Sequence, residues 1–173
     1  MKTKKLVLSA VLLAVGLLLH YIVPGIFMGM KPDLLLSMMF VAVIVNEDFK
    51  SALVTGLVAG FLTALTTTFP GGQIPNIIDK FITVLVVYGL NTILGNKISN
   101  IIKTCIISVL GTLVSGTIFL GSAYLIVGLP TSFTALFLTV VLPATLLNSV
   151  AVLFLLSVVQ RSMRLVSYSK WRS

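Results

Sequence analysis

Long apolar stretches separated by short polar ones run the length of the chain. A helix that crosses a bilayer needs about 20 mostly apolar residues, each rising roughly 1.5 Å. On that basis the pattern predicts spans at Leu6–Val23, Leu34–Val45, Ser51–Phe69, Phe81–Leu94, Thr104–Val127 and Ser132–Gln160. The second and fourth are short. The second either extends over Asn46 or lies partly buried in protein. The sixth is long and contains Pro143, whose missing backbone donor predicts a kink. Between the spans lie Pro24–Asp33, Asn46–Lys50, Pro70–Lys80, Gly95–Lys103 and Gly128–Thr131. The pattern therefore predicts an all-α, polytopic membrane protein of about six transmembrane helices, forming a single domain over residues 1–173.

Composition points the same way. The chain is 58% hydrophobic and 9% charged, whereas a soluble domain carries roughly 25% charged residues to cover its surface. The net charge of +8 does not indicate nucleic acid, because the basic residues fall at chain ends and in short loops without interleaved aromatics. They set orientation instead. With a cytoplasmic N-terminus, Lys2, Lys4, Lys5, Lys50, Lys97, Lys103, Arg161, Arg164, Lys170 and Arg172 are inside, and only Lys31 and Lys80 are outside. Both termini are expected in the cytoplasm. The first apolar run follows Lys2, Lys4 and Lys5 as in a signal peptide, but no small-x-small cleavage site follows it, so it is read as a retained span.

Small residues recur every four positions at Ala52, Gly56, Gly60 and Ala64. Ala10 and Ala14 repeat the spacing in the first span, and Ser108, Thr112 and Gly116 in the fifth. Such stripes let helix backbones approach closely. Packing within the bundle is the plain reading. Docking of another protein is the sharper one, and the terminal first span suits it best.

Several chemistries are not in evidence. The acids are Asp33, Glu47, Asp48 and Asp79, all expected at span ends or in loops, with none at mid-depth. Ion-driven carriers commonly place a carboxylate or His relay there. Gly89–Lys97 resembles a phosphate loop only faintly, with the wrong glycine spacing. The single Cys105 gives neither an internal disulfide nor a zinc spacing. No GxSxG or HExxH motif occurs. Neither an enzyme, nor a metal site, nor a cofactor is expected.

The polar residues gather on the outer side, and their types suit a zwitterion with an aromatic side chain. Asp33 or Asp79 can take an ammonium. Lys31, Lys80 or a helix N-terminus can take a carboxylate. Phe69, Tyr88 and Tyr124 can wall an indole, and Gln73, Asn76 or Asn91 can accept its N–H. Asn91 is placed near mid-membrane. Plainer readings stand beside these: Asp33 and Asp79 as helix caps, Lys31 and Lys80 as snorkelling lysines, Tyr124 as an interface aromatic, and Asn91 as a helix–helix contact.

The same residues carry a family resemblance. Met30-Lys31-Pro32-Asp33 and the run Phe69-Pro70-Gly71-Gly72-Gln73-Ile74-Pro75-Asn76-Ile77-Ile78-Asp79-Lys80 resemble the TrpP tryptophan transporter family. Ala10 and Ala14 followed by His20 also fit. The resemblance implies the substrate-binding S component of an energy-coupling factor (ECF) transporter in a prokaryotic plasma membrane. Such a subunit binds L-tryptophan near the outer face and lies in membrane lipid. It docks through small first-helix residues on a membrane T component carrying two cytoplasmic ATPases. Ala10 and Ala14 match that docking pattern, and Leu18 stands at its next step. Two other functions fit the residues: a non-transport scaffold subunit of a cell-envelope assembly, and a self-contained secondary carrier.

Overall fold

The computed structural model describes residues 3–23, 33–95 and 97–169. These residues are all helical apart from short connections. In chain order the helices are α1 (Thr3–Ile22), α2 (Leu34–Asn46), α3 (Phe49–Thr66), α4 (Gln73–Leu94), α5 (Asn100–Ile126), α6 (Phe133–Leu136) and α7 (Leu142–Ser169). A π-helical turn, Phe137–Val141, joins α6 to α7 into one long sixth element. Five elements are long and apolar enough to cross a membrane, and α2 is the short one.

α2 organises the bundle. It has 13 residues and all but Val45 are buried. A helix that is apolar all round needs protein on every side, and α2 touches α1, α3, α4, α5 and α7. At about 20 Å it is shorter than the roughly 30 Å hydrocarbon core. Surrounded by protein, it need not span lipid by itself. Its inner end is pinned by polar contacts. Asn46 Nδ2 donates to Lys5 O at 3.1 Å and to Ser9 Oγ at 2.8 Å, and Lys5 Nζ donates back to Asn46 O. Thr55 Oγ1 on α3 donates to the same Ser9 Oγ at 2.9 Å. The expected N-cap at Asp33 is present: Leu36 N–H donates to Asp33 Oδ1 at 2.9 Å. With its inner end fixed, the short α2 stops below the outer ends of its neighbours.

The fourth helix departs from expectation. It starts at Gln73 rather than Phe81, so most of the expected Pro70–Lys80 connection is helical. Pro75 is the third helical residue, where a backbone N–H has no helical partner in any case. The proline therefore fits the first turn instead of preventing it. Asp79 consequently lies within the helix and does not cap it. Asn91 falls in the last turn, where its carbonyl accepts from Gly95 N–H, so it stands near the inner end and not at mid-membrane. The sixth element bears out an irregularity at Pro143. The π turn immediately before it closes with Leu142 N–H donating to Phe137 O. The wider turn makes room where the proline ring would press on the carbonyl of Thr139.

The stripe on α3 packs inside the bundle. Ala52, Gly56, Gly60 and Ala64 are all buried. A Cβ at Gly56 would lie 2.3 Å from Val84 Cγ1, and one at Gly60 would lie 3.1 Å from Ile77 Cα. α3 and α4 thus meet backbone to backbone. On α5, a Cβ at Gly116 would lie 2.4 Å from Val141 Cγ1 of the π turn. Apolar side chains cover the lipid-facing side, with Leu65 and Leu125 each 83% exposed.

Gly60→Leu should therefore lower the thermal unfolding midpoint of the detergent-solubilised protein, by an overpacking penalty of about 1–3 kcal/mol. Gly121→Ala, where an added Cβ meets nothing within 4 Å, should not lower it. Equal midpoints for the two variants would contradict the close α3–α4 approach.

A candidate substrate cavity at the outer end

The sunken N-terminus of α2 leaves a well above it. All six spans line this cavity, which has a volume of about 370 Å³. That lies within the roughly 300–1,000 Å³ of typical small-molecule sites. One side is charged and polar, and the other is apolar.

The charged side centres on Lys80 and Asp79, which are 3% and 1% exposed. Lys80 lies seven residues into α4, about 10 Å below its outer end. Lys80 Nζ donates to Asp79 Oδ2 at 2.5 Å and to Ser115 Oγ at 3.3 Å. Ser115 donates to Asp79 Oδ2 at 2.9 Å, and Thr83 donates to Asp79 Oδ1 at 2.9 Å. Asp79 is thus fully engaged. Asp33 is less so: its Oδ2 stands 3.6 Å from Lys80 Nζ, and its side chain is 30% exposed. His20 Nδ1 approaches Asp33 Oδ1 at 3.9 Å. Asp33 N–H donates to Asn148 Oδ1 on α7 at 2.7 Å. The two carboxylates and one ammonium leave the group one unit negative, with Asp33 its most open member.

Two expectations are corrected here. Asp79 lies inside α4, six residues from its start, and not at a span end or in a loop. Lys80 does not snorkel to the headgroups, because three oxygen partners hold it inside. Both follow from the early start of α4, which carries Asp79 and Lys80 below the surface.

The apolar side holds Leu36, Leu120, Val140 and Val141, with Phe69 and Phe119 at the wall. These two rings meet edge to face, with centroids 5.4 Å apart. Thr112 also lines the cavity. The hydroxyls of Thr63, Thr66, Thr104, Thr117 and Thr145 each donate to the carbonyl four residues earlier. The Thr112 hydroxyl is buried and has no partner among the described residues.

Of the residues proposed from sequence, Asp33, Phe69, Asn76, Asp79 and Lys80 line the cavity. Asn76 Nδ2 donates to Gly72 O at 2.8 Å, which leaves its carboxamide oxygen as an acceptor. Gln73 is exposed at the start of α4, outside the lining. Tyr88 packs on Phe49 at the inner end, with centroids 5.3 Å apart. Asn91 is buried at that same end, far from the cavity. Tyr124 is 64% exposed on the outer surface of α5. Lys31 lies outside the described residues. Ala10 and Ala14 are exposed on α1. Sequence reasoning missed Ser115, Thr112, Asn148 and Phe119 as lining residues. Asn148 had a readable signal, since it is the only carboxamide between Pro143 and Gln160.

Comparison with known proteins agrees with this architecture. The sequence matches the family described as "Tryptophan transporter TrpP" over residues 2–164. A probable tryptophan transport protein of Clostridium acetobutylicum is 48% identical over 166 residues, covering 96% of this chain and 97% of that protein. Another, from Clostridium perfringens, is 45% identical over 175 residues, covering 95% and 96%. A third, from Bacillus subtilis, is 45% identical over 168 residues, covering 97% of each. All are described as transport proteins rather than enzymes. No solved structure matches significantly. The chain belongs to the TrpP family of tryptophan transporters, as a multi-pass membrane protein.

Proposed function

We propose that the outer cavity binds L-tryptophan for uptake and that the protein is the substrate-binding S component of an ECF transporter. The observation that carries the first part is the open Lys80–Asp33 pair at 3.6 Å, beside an aromatic wall. A zwitterion inserts into that pair. Its ammonium takes Asp33 and its carboxylate takes Lys80, which Asp79 and Ser115 hold in place. Each buried charge then keeps a partner, so little desolvation is left uncompensated. Asn148 and the Thr66–Thr68 hydroxyls complete the carboxylate's surroundings. The indole lies against Phe69 and Phe119. A rotamer change at Thr112 exchanges methyl and hydroxyl and presents an acceptor to the indole N–H.

The ECF reading rests on the resemblance and on layout. The chain carries no phosphate loop. α1 packs only on α2 and α3 among the described residues. Its opposite face exposes Ala10 and Ala14 together with Val7, Val11 and Leu18, a low surface against which a T component can lie. The buried Asp79–Lys80 pair favours a second reading, the self-contained carrier. Gradient-driven uptake by the purified protein alone in liposomes would establish that reading. Uptake that requires a T component and two ATPases supports the S component. Absence of saturable tryptophan binding to folded protein leaves the scaffold.

Binding of labelled L-tryptophan to the purified protein tests the cavity. Asp33→Asn keeps a good helix cap and removes the charge. It should weaken binding by about 10-fold to 150-fold, the equivalent of about 1.5–3 kcal/mol for a lost charged hydrogen bond, with little change in melting midpoint. Unchanged affinity would remove Asp33 from the site. The wild type should also prefer tryptophan over its analogue with sulfur in place of the indole N–H by about fivefold. Thr112→Val should lose that preference, and its persistence would contradict the assigned acceptor. Leucine at both Ala10 and Ala14 should spare binding and abolish uptake in cells. Undiminished uptake would exclude that face from docking.

A further inference from the structure

A second cavity, of about 420 Å³, lies at the cytoplasmic end between the C-terminus of α2, the start of α5 and the end of α7. The same short helix creates it: α2 ends at Asn46, while α7 continues past Arg164. Asn100, Lys103, Gln160 and Arg164 line it, together with Glu47.

Lys103 is the anomaly. It is 4% exposed, yet its ammonium makes no hydrogen bond among the described residues. Its one ionic partner among the described residues is Glu47 Oε1, at 4.0 Å, on a side chain that is 64% exposed. The other buried lysine, Lys80, has a carboxylate at 2.5 Å and a serine at 3.3 Å. Burying an ammonium is strongly unfavourable unless it is paired and hydrogen-bonded. Lys103 and Arg164 outweigh Glu47, so the cavity carries an excess positive charge. Apolar side chains flank the mouth: Met163, which lines the cavity on α7, is 43% exposed, and Ile101, next to Asn100 on α5, is 70% exposed.

We propose that this cavity binds the headgroup of an anionic phospholipid of the inner leaflet. Lys103 and Arg164 hold the phosphate, and Asn100 and Gln160 bond the headgroup hydroxyls. Glu47, an exposed side chain, swings away from Lys103 into water. The acyl chains lie along Met163 and Ile101. Basic pockets between helices on the cytoplasmic side are suited to such headgroups. The apolar flanks favour a lipid over free phosphate.

The test is the melting midpoint of delipidated protein in neutral detergent, titrated with phosphatidylglycerol, phosphatidylcholine or inorganic phosphate. Phosphatidylglycerol should raise the midpoint, and the other two should not. In Arg164→Gln the phosphatidylglycerol concentration for half the effect should rise about fivefold. Lys103→Met should lose the response. Lys50→Met, a basic inner residue outside the cavity, should keep it. Should Lys103→Met fail to fold, Arg164→Gln carries the test, since that side chain is exposed. An equal response to phosphatidylcholine, or a wild-type response in Arg164→Gln, overturns the site. A response to phosphate alone equal to that of phosphatidylglycerol overturns the lipid assignment in favour of a free-anion site.

Discussion

Lys80 and Asp79, in contact at 2.5 Å inside the bundle, constrain everything around them. Buried charges within the membrane depth must be paired and hydrogen-bonded, or the chain rearranges to release them. The pairing here reaches across the fold. Ser115 ties the pair to α5, and Asp33 ties it to the N-terminus of α2. Asn148 then ties Asp33 to α7. One charged group thereby sets the register of four elements at the outer end. A polar cluster of Lys5, Ser9, Asn46 and Thr55 does the same for α1, α2 and α3 at the inner end.

Between these anchors the bundle closes on small residues. Gly56 and Gly60 bring α3 against α4, and Gly116 brings α5 against the π turn. Such contacts matter more in lipid than in water, because lipid tails are as apolar as leucine and leave packing as the main attraction. The result is a wall of long helices around a core helix of 13 residues. The mismatch in length leaves open space at both ends. At the outer end that space is the charged and aromatic well. At the inner end it is the cavity under Lys103.

Much of this was legible in the sequence, and the misses share one physical cause. The spans, the cap at Asp33 and the packing stripe on α3 followed from periodicity and residue type. The depth of Asp79 and Lys80 did not. Gly71, Gly72 and Pro75 read as a loop, although proline is compatible with a first helical turn. That boundary error moved Asn91 and Tyr88 outward by two turns and left Asp79 looking like a cap. Thr112 and Gly116 read only as a small-residue stripe, because spacing says which residues share a face and not whether that face meets a helix or a cavity. Asn148 and Phe119 come from distant elements, and only tertiary packing brings them to the well.

Function follows from what the well can hold. Lys80 is anchored on one side by Asp79 and Ser115 and open on the other toward Asp33. On the proposed reading, a molecule with both charges inserts here without leaving either partner bare. An aromatic wall and a waiting hydroxyl suit an indole. The most direct measurement is an experimental structure of the protein with bound L-tryptophan. The ammonium should lie at Asp33, the carboxylate at Lys80 and the indole against Phe69 and Phe119. Tryptophan bound elsewhere, with the Lys80–Asp33 pair undisturbed, would contradict it.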